Sequence, residues 1–222
     1  MISLINNFKY LPFLLISSCI APPSLYQEAF FRSKEAITSN DLVINKAMRD
    51  LPYAMQLAKI GNSDEVLLVL AEARYDYLTW SSSSKELITT FNGKIIKTSG
   101  LINDINIINP PNIKNVYLNI FDKSDKNKAH RSFIDFSSPK ASSLEIYYSY
   151  EFEGVDIIKS RLNDKEITTT LIAENYNIPI IKFKGVNFYW INSEGSVVKS
   201  IQKIEPYGKN IRLQSLKKYN GN

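Results

Sequence analysis

Two carboxylates offer the first candidate chemistry. Glu151 and Glu153 fall in the run 145–153, where strand alternation puts Glu145, Tyr147, Ser149, Glu151 and Glu153 on one face and Ile146, Tyr148, Tyr150 and Phe152 on the other. At the rise of a strand the two acids would sit about 7 Å apart, a spacing that overlaps what paired glycosidase carboxylates need. A solvated strand face produces the same pattern, and nothing in the sequence raises either pKa, so the face is the preferred reading. Ser193-Glu194-Gly195-Ser196 lacks the Gly-x-Ser-x-Gly elbow of a strained nucleophile. His130 adjoins a lysine-rich loop and reads as a surface residue instead of a catalytic base. One cysteine and one histidine cannot assemble a Cys/His zinc site or an intrachain disulfide, and no glycine loop suits a phosphate. The tryptophans Trp80 and Trp190, with Tyr77 and Tyr189 beside them, could stack on sugar rings, although such aromatics more often fill a core. The expectation is a protein that binds, with no catalytic set, cofactor or metal.

The lone cysteine, Cys19, needs a local explanation. Residues 1–10 carry no acid and a single positive charge, Lys9; an apolar run from Leu11 to Ile16 follows, then Ser17 and Ser18. That is the three-part layout of a secretory signal. The run is far shorter than the roughly 20 residues that span a bilayer as a helix. Ile16-Ser17-Ser18-Cys19 resembles the bacterial lipobox. The resemblance implies a thiol alkylated with diacylglycerol, cleavage before Cys19 and acylation of the new amino group by a fatty acid such as palmitate. Several acyl chains anchor stably where one does not, since each buried CH₂ is worth about 0.8 kcal/mol. Ile20 after the cysteine, in place of Asp, implies the outer membrane of a Gram-negative cell.

The 222 residues suit one sizeable core plus appendages. The expected division is a signal at 1–18, a lipidated Cys, tether and N-terminal helices at 19–50, and a single β domain at 51–222. Thirteen Tyr and eleven Phe, with abundant Ile and Thr, tilt the chain toward strands. The net charge of +5 includes Lys9 in the segment to be removed. The remaining bases are scattered, not gathered into a stripe interleaved with aromatics, which argues against a nucleic-acid partner.

After Pro22-Pro23, Ser24 and Gln27 are spaced as a capping box, predicting a helix over 25–37 and a second, short one over 41–48. From Pro52 onward strands dominate. The run 65–73 reads as a buried strand and 75–80 continues the pattern. Leu87 to Thr98 surrounds Asn92-Gly93, the signature of a two-residue type I′ hairpin. Further strands are expected at 115–121, 131–136, 143–152, 155–162, 166–173, 178–183, 186–191, 196–204 and 210–216, punctuated by Gly154, Gly185, Gly195 and Gly208. Pro110-Pro111 marks a connector and 122–128 a charged loop. Strands this close together without helical crossovers imply an antiparallel meander.

Several pieces in fixed order resemble the GfcB/YjbF family of outer-membrane lipoproteins associated with capsule and exopolysaccharide export. They are Leu51-Pro52-Tyr53-Ala54, the apolar run Val66 to Ala71, Leu78-Thr79-Trp80, Leu87-Ile88-Thr89 and Asn92 to Leu101. The likeness resumes at Tyr189-Trp190-Ile191, Gly195 to Gln202, Pro206 and Leu216-Lys217, and it lapses over 122–142. It implies a mainly β fold: an antiparallel meander curved into a half-barrel or open barrel, with one or two short N-terminal helices. It also implies an accessory role in polysaccharide secretion, not an enzymatic step, with other export proteins of the envelope and polysaccharide itself as partners. Thr98, Gly100, Ser200 and Gln202 fall on the family's recurring positions and, with Trp80 and Trp190, are candidate partner or glycan contacts; turn and hairpin structure is the plainer reading of the first four. The alternative is a carrier whose half-barrel holds an acyl chain or a lipid-linked sugar, which requires an unfilled apolar concave face. Replacing Cys19 with Ala should abolish incorporation of labelled palmitate and release the chain from membranes; a variant as firmly membrane-bound as the parent would refute the anchor.

Overall fold

Asn92 and Gly93 have φ of 48° and 85°, and Phe91 pairs with Lys94, so the expected two-residue hairpin forms. Gly93 is required there twice over, because a Cβ would also lie 2.5 Å from the Cβ of Val197. The computed structural model describes residues 50–120 and 129–220 together with Ile44. Within them run β1 (Met55–Ile60), β2 (Val66–Arg74), β3 (Tyr77–Ser81), β4 (Leu87–Phe91), β5 (Lys94–Ser99), β6 (Ile105–Ile108), helix α1 (Ile113–Asn119), β7 (His130–Ser137), β8 (Lys140–Lys159), β9 (Glu166–Ile178), β10 (Phe183–Ile191), β11 (Val197–Gln202) and β12 (Ile211–Lys217). Each strand pairs antiparallel with its sequence neighbours, and β1 pairs with β12 from Ile60↔Ile211 to Met55↔Lys217. The mainly β meander thus curves beyond a half-barrel into a closed barrel of twelve strands. The thinnest seam is β5 against β6, where only Lys97↔Asn106 pair.

Three local expectations are corrected. The strands expected at 143–152 and 155–162 are one strand, β8, of 20 residues. Gly154 is no turn; the register shifts between Phe152 and Gly154 while pairing with β9 continues on both sides, so this is a β-bulge that bends the strand. The strand expected at 115–121 is α1. Asn112 caps it, accepting from the backbone N–H of Lys114 and Asn115 at 3.0 and 3.2 Å. Ile113, Val116, Tyr117 and Ile120 share the helical face that packs into the core. Lastly, β9 continues to Ile178, and Pro179–Ile181 is a 3₁₀ turn, so no separate strand occupies 178–183. β1 and β6 join the expected set. The helices expected at 25–37 and 41–48, and Cys19, lie outside the described residues; Ile44 alone of them is placed, against Met55, Leu57 and Leu216.

The interior is apolar and largely branched: Ala58, Leu68, Trp80, Ile88, Ile134, Ile146, Ile178 and Leu213 meet there. Strand positions facing out include the exposed Lys97, Lys140 and Glu151. Exposed apolar side chains stand among them, with Phe152, Val155 and Ile157 on β8, while the largely apolar interior is unlike the polar lumen of a membrane-spanning barrel. Beyond the bulge, the far half of the β8–β9 hairpin folds over the outside of β10–β12. Trp190 Nε1 donates to Asp156 Oδ2 at 2.9 Å, Gln214 Nε2 to the Lys159 carbonyl at 3.2 Å, and Arg161 pairs with Glu65 at 3.4 Å. A second core of Ile158, Leu171, Ala173, Phe188, Trp190 and Ile201 is buried beneath it. That is why β10 has both faces covered from Asn187 to Ile191. Burying each large side chain contributes roughly 1.5–3 kcal/mol.

Candidate functional site

Inside the barrel, β5, β9, β10 and β11 contribute polar side chains that find one another. Asn187 on β10 pairs in register with Glu174 on β9, so both side chains leave the sheet on the same side. The Glu174 carboxylate accepts from Lys94 Nζ at 2.5 and 2.6 Å, from Asn187 Nδ2 at 2.7 Å, from Tyr150 OH at 2.8 Å and from Tyr189 OH at 3.2 Å. Lys94 and Glu174 side chains are 2% and 0% exposed. The Lys94 ammonium also stands 4.1 Å from the centroid of the Tyr148 ring, a cation–π contact that helps compensate its lost water. Burial pulls the Lys94 pKa below its ordinary value, and the Glu174 carboxylate opposes that shift. Burial first, and the Glu174 charge second, push the Tyr148, Tyr150, Tyr176 and Tyr189 phenols well up, so they stay protonated, and all but Tyr148 donate a hydrogen bond.

Gln202 extends the cluster across the barrel. Its Oε1 accepts from the Ile95 N–H at 2.8 Å and lies 3.3 Å from Tyr189 OH, whose one proton it shares with Glu174, while its Nε2 donates to the Gly93 carbonyl and to Ser200 Oγ, both at 2.9 Å. β11 is thereby clasped to β5. Lys94, Glu174 and Gln202 are almost wholly buried, while Tyr148, whose hydroxyl has no hydrogen-bond partner among the described residues, lines a cavity of about 370 Å³ with Tyr147, Tyr176 and Lys184. The cluster's contacts tie β5, β9, β10 and β11 to one another.

Five of the six candidate contact residues are buried, and of these Trp80 lines a cavity at one mouth of the barrel. Trp80, Thr98, Trp190, Ser200 and Gln202 are between 1% and 6% exposed. Thr98 Oγ1 accepts from the Ile105 N–H at 3.0 Å, reinforcing the thin β5–β6 seam. Trp190 belongs to the second core, with Lys199 Nζ 4.5 Å from its ring centroid. Gly100 is exposed and forms the β5–β6 turn, where Asp104 accepts from the N–H of Gly100 and Leu101. The structure therefore assembles Ser200 and Gln202 with one another and leaves the tryptophans on opposite sides of the sheet. Glu151 and Glu153 are both exposed; partial burial, then repulsion from Glu151, raises the Glu153 pKa. His130 lies edge-on to Tyr150 with ring centroids 5.6 Å apart.

Open access exists at one mouth of the barrel. A cavity of about 540 Å³ lies among the β2–β3, β4–β5 and β10–β11 turns and the folded-over β8–β9 turn, with Trp80 lining it from inside and Tyr75 from the turn above. α1 covers the neighbouring part of the opening: Ile113 packs on Ile172, Tyr189 and Ile191, and Asn92 Nδ2 donates to Asn112 Oδ1 at 3.2 Å. The acyl-binding concave face required by the carrier alternative is instead occupied by side chains.

The domain is thus a side-chain-filled, closed antiparallel barrel. More specifically, the chain belongs to the family described as group 4 capsule polysaccharide lipoprotein GfcB, YjbF, which matches residues 26–216. It is 22% identical over 198 residues to the lipoprotein YjbF of Escherichia coli (strain K12), spanning 85% of this chain and 86% of that protein. Its fold is similar to the crystal structure of the hypothetical lipoprotein YmcC from Escherichia coli (K12), with a TM-score of 0.67 and 17% identity, covering 86% of this chain and 95% of that one. The family recognised from the sequence motifs is the one the full-length comparison gives.

Replacing Lys94 with Met leaves the Glu174 carboxylate buried without its cation and should destabilise the fold by about 3–5 kcal/mol in urea unfolding. Adding Glu174→Gln removes the stranded charge while keeping an acceptor for Tyr150, so the double variant should recover much of that loss. Strictly additive single costs would contradict the coupling.

Proposed function

We propose that this protein is a non-enzymatic, lipid-anchored accessory of capsule or exopolysaccharide secretion, held at the outer membrane and facing the periplasm. The observation that carries the reading is the family match over nearly the whole domain, to lipoproteins described by their association with capsule polysaccharide. The lipobox at Cys19 and Ile20 supports the anchor and its destination. The largely apolar interior of the barrel supports a domain that stands off the membrane on its tether instead of entering it.

The non-enzymatic part rests on how the reactive side chains are distributed. The strongest acid–base pair, Lys94 with Glu174, is sealed inside the barrel, and the Glu151 and Glu153 carboxylates are exposed on a strand face. Neither arrangement brings a polarised nucleophile and a base to a shared reacting atom. A barrel interior occupied by Ile, Leu, Tyr and the polar cluster disfavours carriage of an acyl chain through the lumen.

Deletion of the gene should lower the amount of polysaccharide at the cell surface, and the wild-type gene, but not Cys19→Ala, should restore it. Unchanged surface polysaccharide in the deletion strain, with the export genes intact, would overturn the reading.

A further inference from the structure

Beyond the Gly154 bulge, β8 leaves the ring and becomes a sheet edge. From Ser149 to Lys159 it pairs with β9 on one side, and among the described residues no strand pairs with the other. Asp156 and Ile158 point into the second core, the first as acceptor for Trp190 Nε1 and the second by packing. Alternation turns Val155, Ile157 and Lys159 the other way, and there Val155 and Ile157 are 68% and 59% exposed. The Ile157 N–H donates to Oδ1 of its own neighbour, Asp156, at 2.8 Å, a local substitute for a strand partner.

Apolar edges recruit further strands, and proteins blunt them with lysines, prolines or bulges. Here the bulge ends where the apolar pair begins, and no proline follows before Lys159. The residues ahead of β7, Asp122 to Lys128, include no apolar side chain that could cover Val155 and Ile157. The charges along this edge are complementary to themselves. Glu151 and Glu153 precede the apolar pair and Lys159 follows it, so a copy running antiparallel brings each lysine to the other's acids, whereas a parallel copy sets like charge against like. Partial burial, then repulsion from Glu151, raises the Glu153 pKa, and a lysine brought beside it offsets that repulsion. Lys159 gives up little to reach it, because its pair with Asp164 joins side chains 67% and 77% exposed.

We propose that two copies of this chain pair antiparallel along β8 beyond the bulge, with Val155 opposite Ile157 of the second copy and Glu153 opposite its Lys159. Positions 155 and 157 share the parity of the outward Ile157 N–H, so this register joins them by ladder bonds, one of which replaces the local bond to Asp156. The Val–Ile pairs repeat on either side of the two-fold axis and shelter each other's exposed faces. The two Asp156 carboxylates near the axis are each turned in to Trp190, over whose ring the Lys199 ammonium stands at 4.5 Å. So short an edge buries less than the roughly 1,200 Å² of a standard interface, and the dimer is accordingly weak, of micromolar affinity. It is independent of the secretory role.

The test is crosslinking of the full-length lipidated protein in phospholipid vesicles. Cys19 is the chain's single cysteine, so Val155→Cys adds the one thiol on the barrel, and a short bis-maleimide should join two copies of that variant. Tyr207→Cys, on a side chain 92% exposed in the β11–β12 connection, sets the collisional background. Adding Lys159→Glu to Val155→Cys should lower the yield about tenfold, and adding Glu153→Lys as well, which exchanges the charges, should restore it. All these positions are exposed, so unchanged thermal midpoints keep folding out of the comparison. A Val155→Cys yield no higher than that background, or one indifferent to Lys159→Glu, would overturn the dimer. So would slow amide exchange at Val155 and Ile157 that persists on dilution of the protein in detergent, since the chain's own residues would then cover the edge.

Discussion

Closure of the sheet is the constraint from which the rest follows. β1 pairs with β2 on one side and β12 on the other, which closes the ring, while the far half of β8 from Ser149 to Lys159 pairs with β9 alone. Twelve strands also enclose more volume than eight, whose side chains just fill a barrel. The excess here is taken up by large residues: Trp80 and Tyr148 within the main core, and Tyr189 beneath α1, whose Ile113 is fully buried. Open space remains at the mouth beside α1 and in a smaller cavity of about 370 Å³ lined by Tyr147, Tyr148, Tyr176 and Lys184.

Filling a wide lumen with aliphatic residues alone would leave its packing free to slide. Strand register is strongly specified only where one slip would misplace something costly. Lys94 and Glu174, 80 residues apart, supply that cost, because either charge without the other would be stranded in a site with almost no exposure. Asn187 carries the link into the β11–β12 connection, since its Oδ1 accepts from the Lys203 N–H at 2.7 Å. Gln202 returns it to β5. The network fixes β5, β9, β10 and β11 relative to one another, and these strands lie on both sides of the closed ring.

The sequence revealed what local chemistry decides. Asn92-Gly93 could be placed because positive φ is a property of those two residues alone. The capping Asn112 and the spacing of Ile113, Val116, Tyr117 and Ile120 were equally present as helix signals, yet the β-branched composition of the segment masked them. Gly154 could not be resolved into turn or bulge, since the difference lies in pairing with β9. Lys94 was illegible for a related reason. Thr89 pairs with Lys97 but Thr90 with Ile95, so the alternation breaks at Ile96 and counting by twos does not tell which way Lys94 faces. Glu174 did carry a signal, sharing its phase along β9 with Ile172, Tyr176 and Ile178. The mouth cavity had none, because it is built from four turns far apart in the chain.

Function in this account is displaced from the chemistry that first attracts attention. The Lys94–Glu174 pair ties strands together, and the two tryptophans serve separate cores. All of this presupposes that the ring is closed in solution. Native-state amide hydrogen exchange tests it most directly: Met55–Ile60 and Ile211–Lys217 should exchange as slowly as the β9–β10 ladder. Fast exchange at alternate amides of β1 and β12, as at an open sheet edge, would contradict the account.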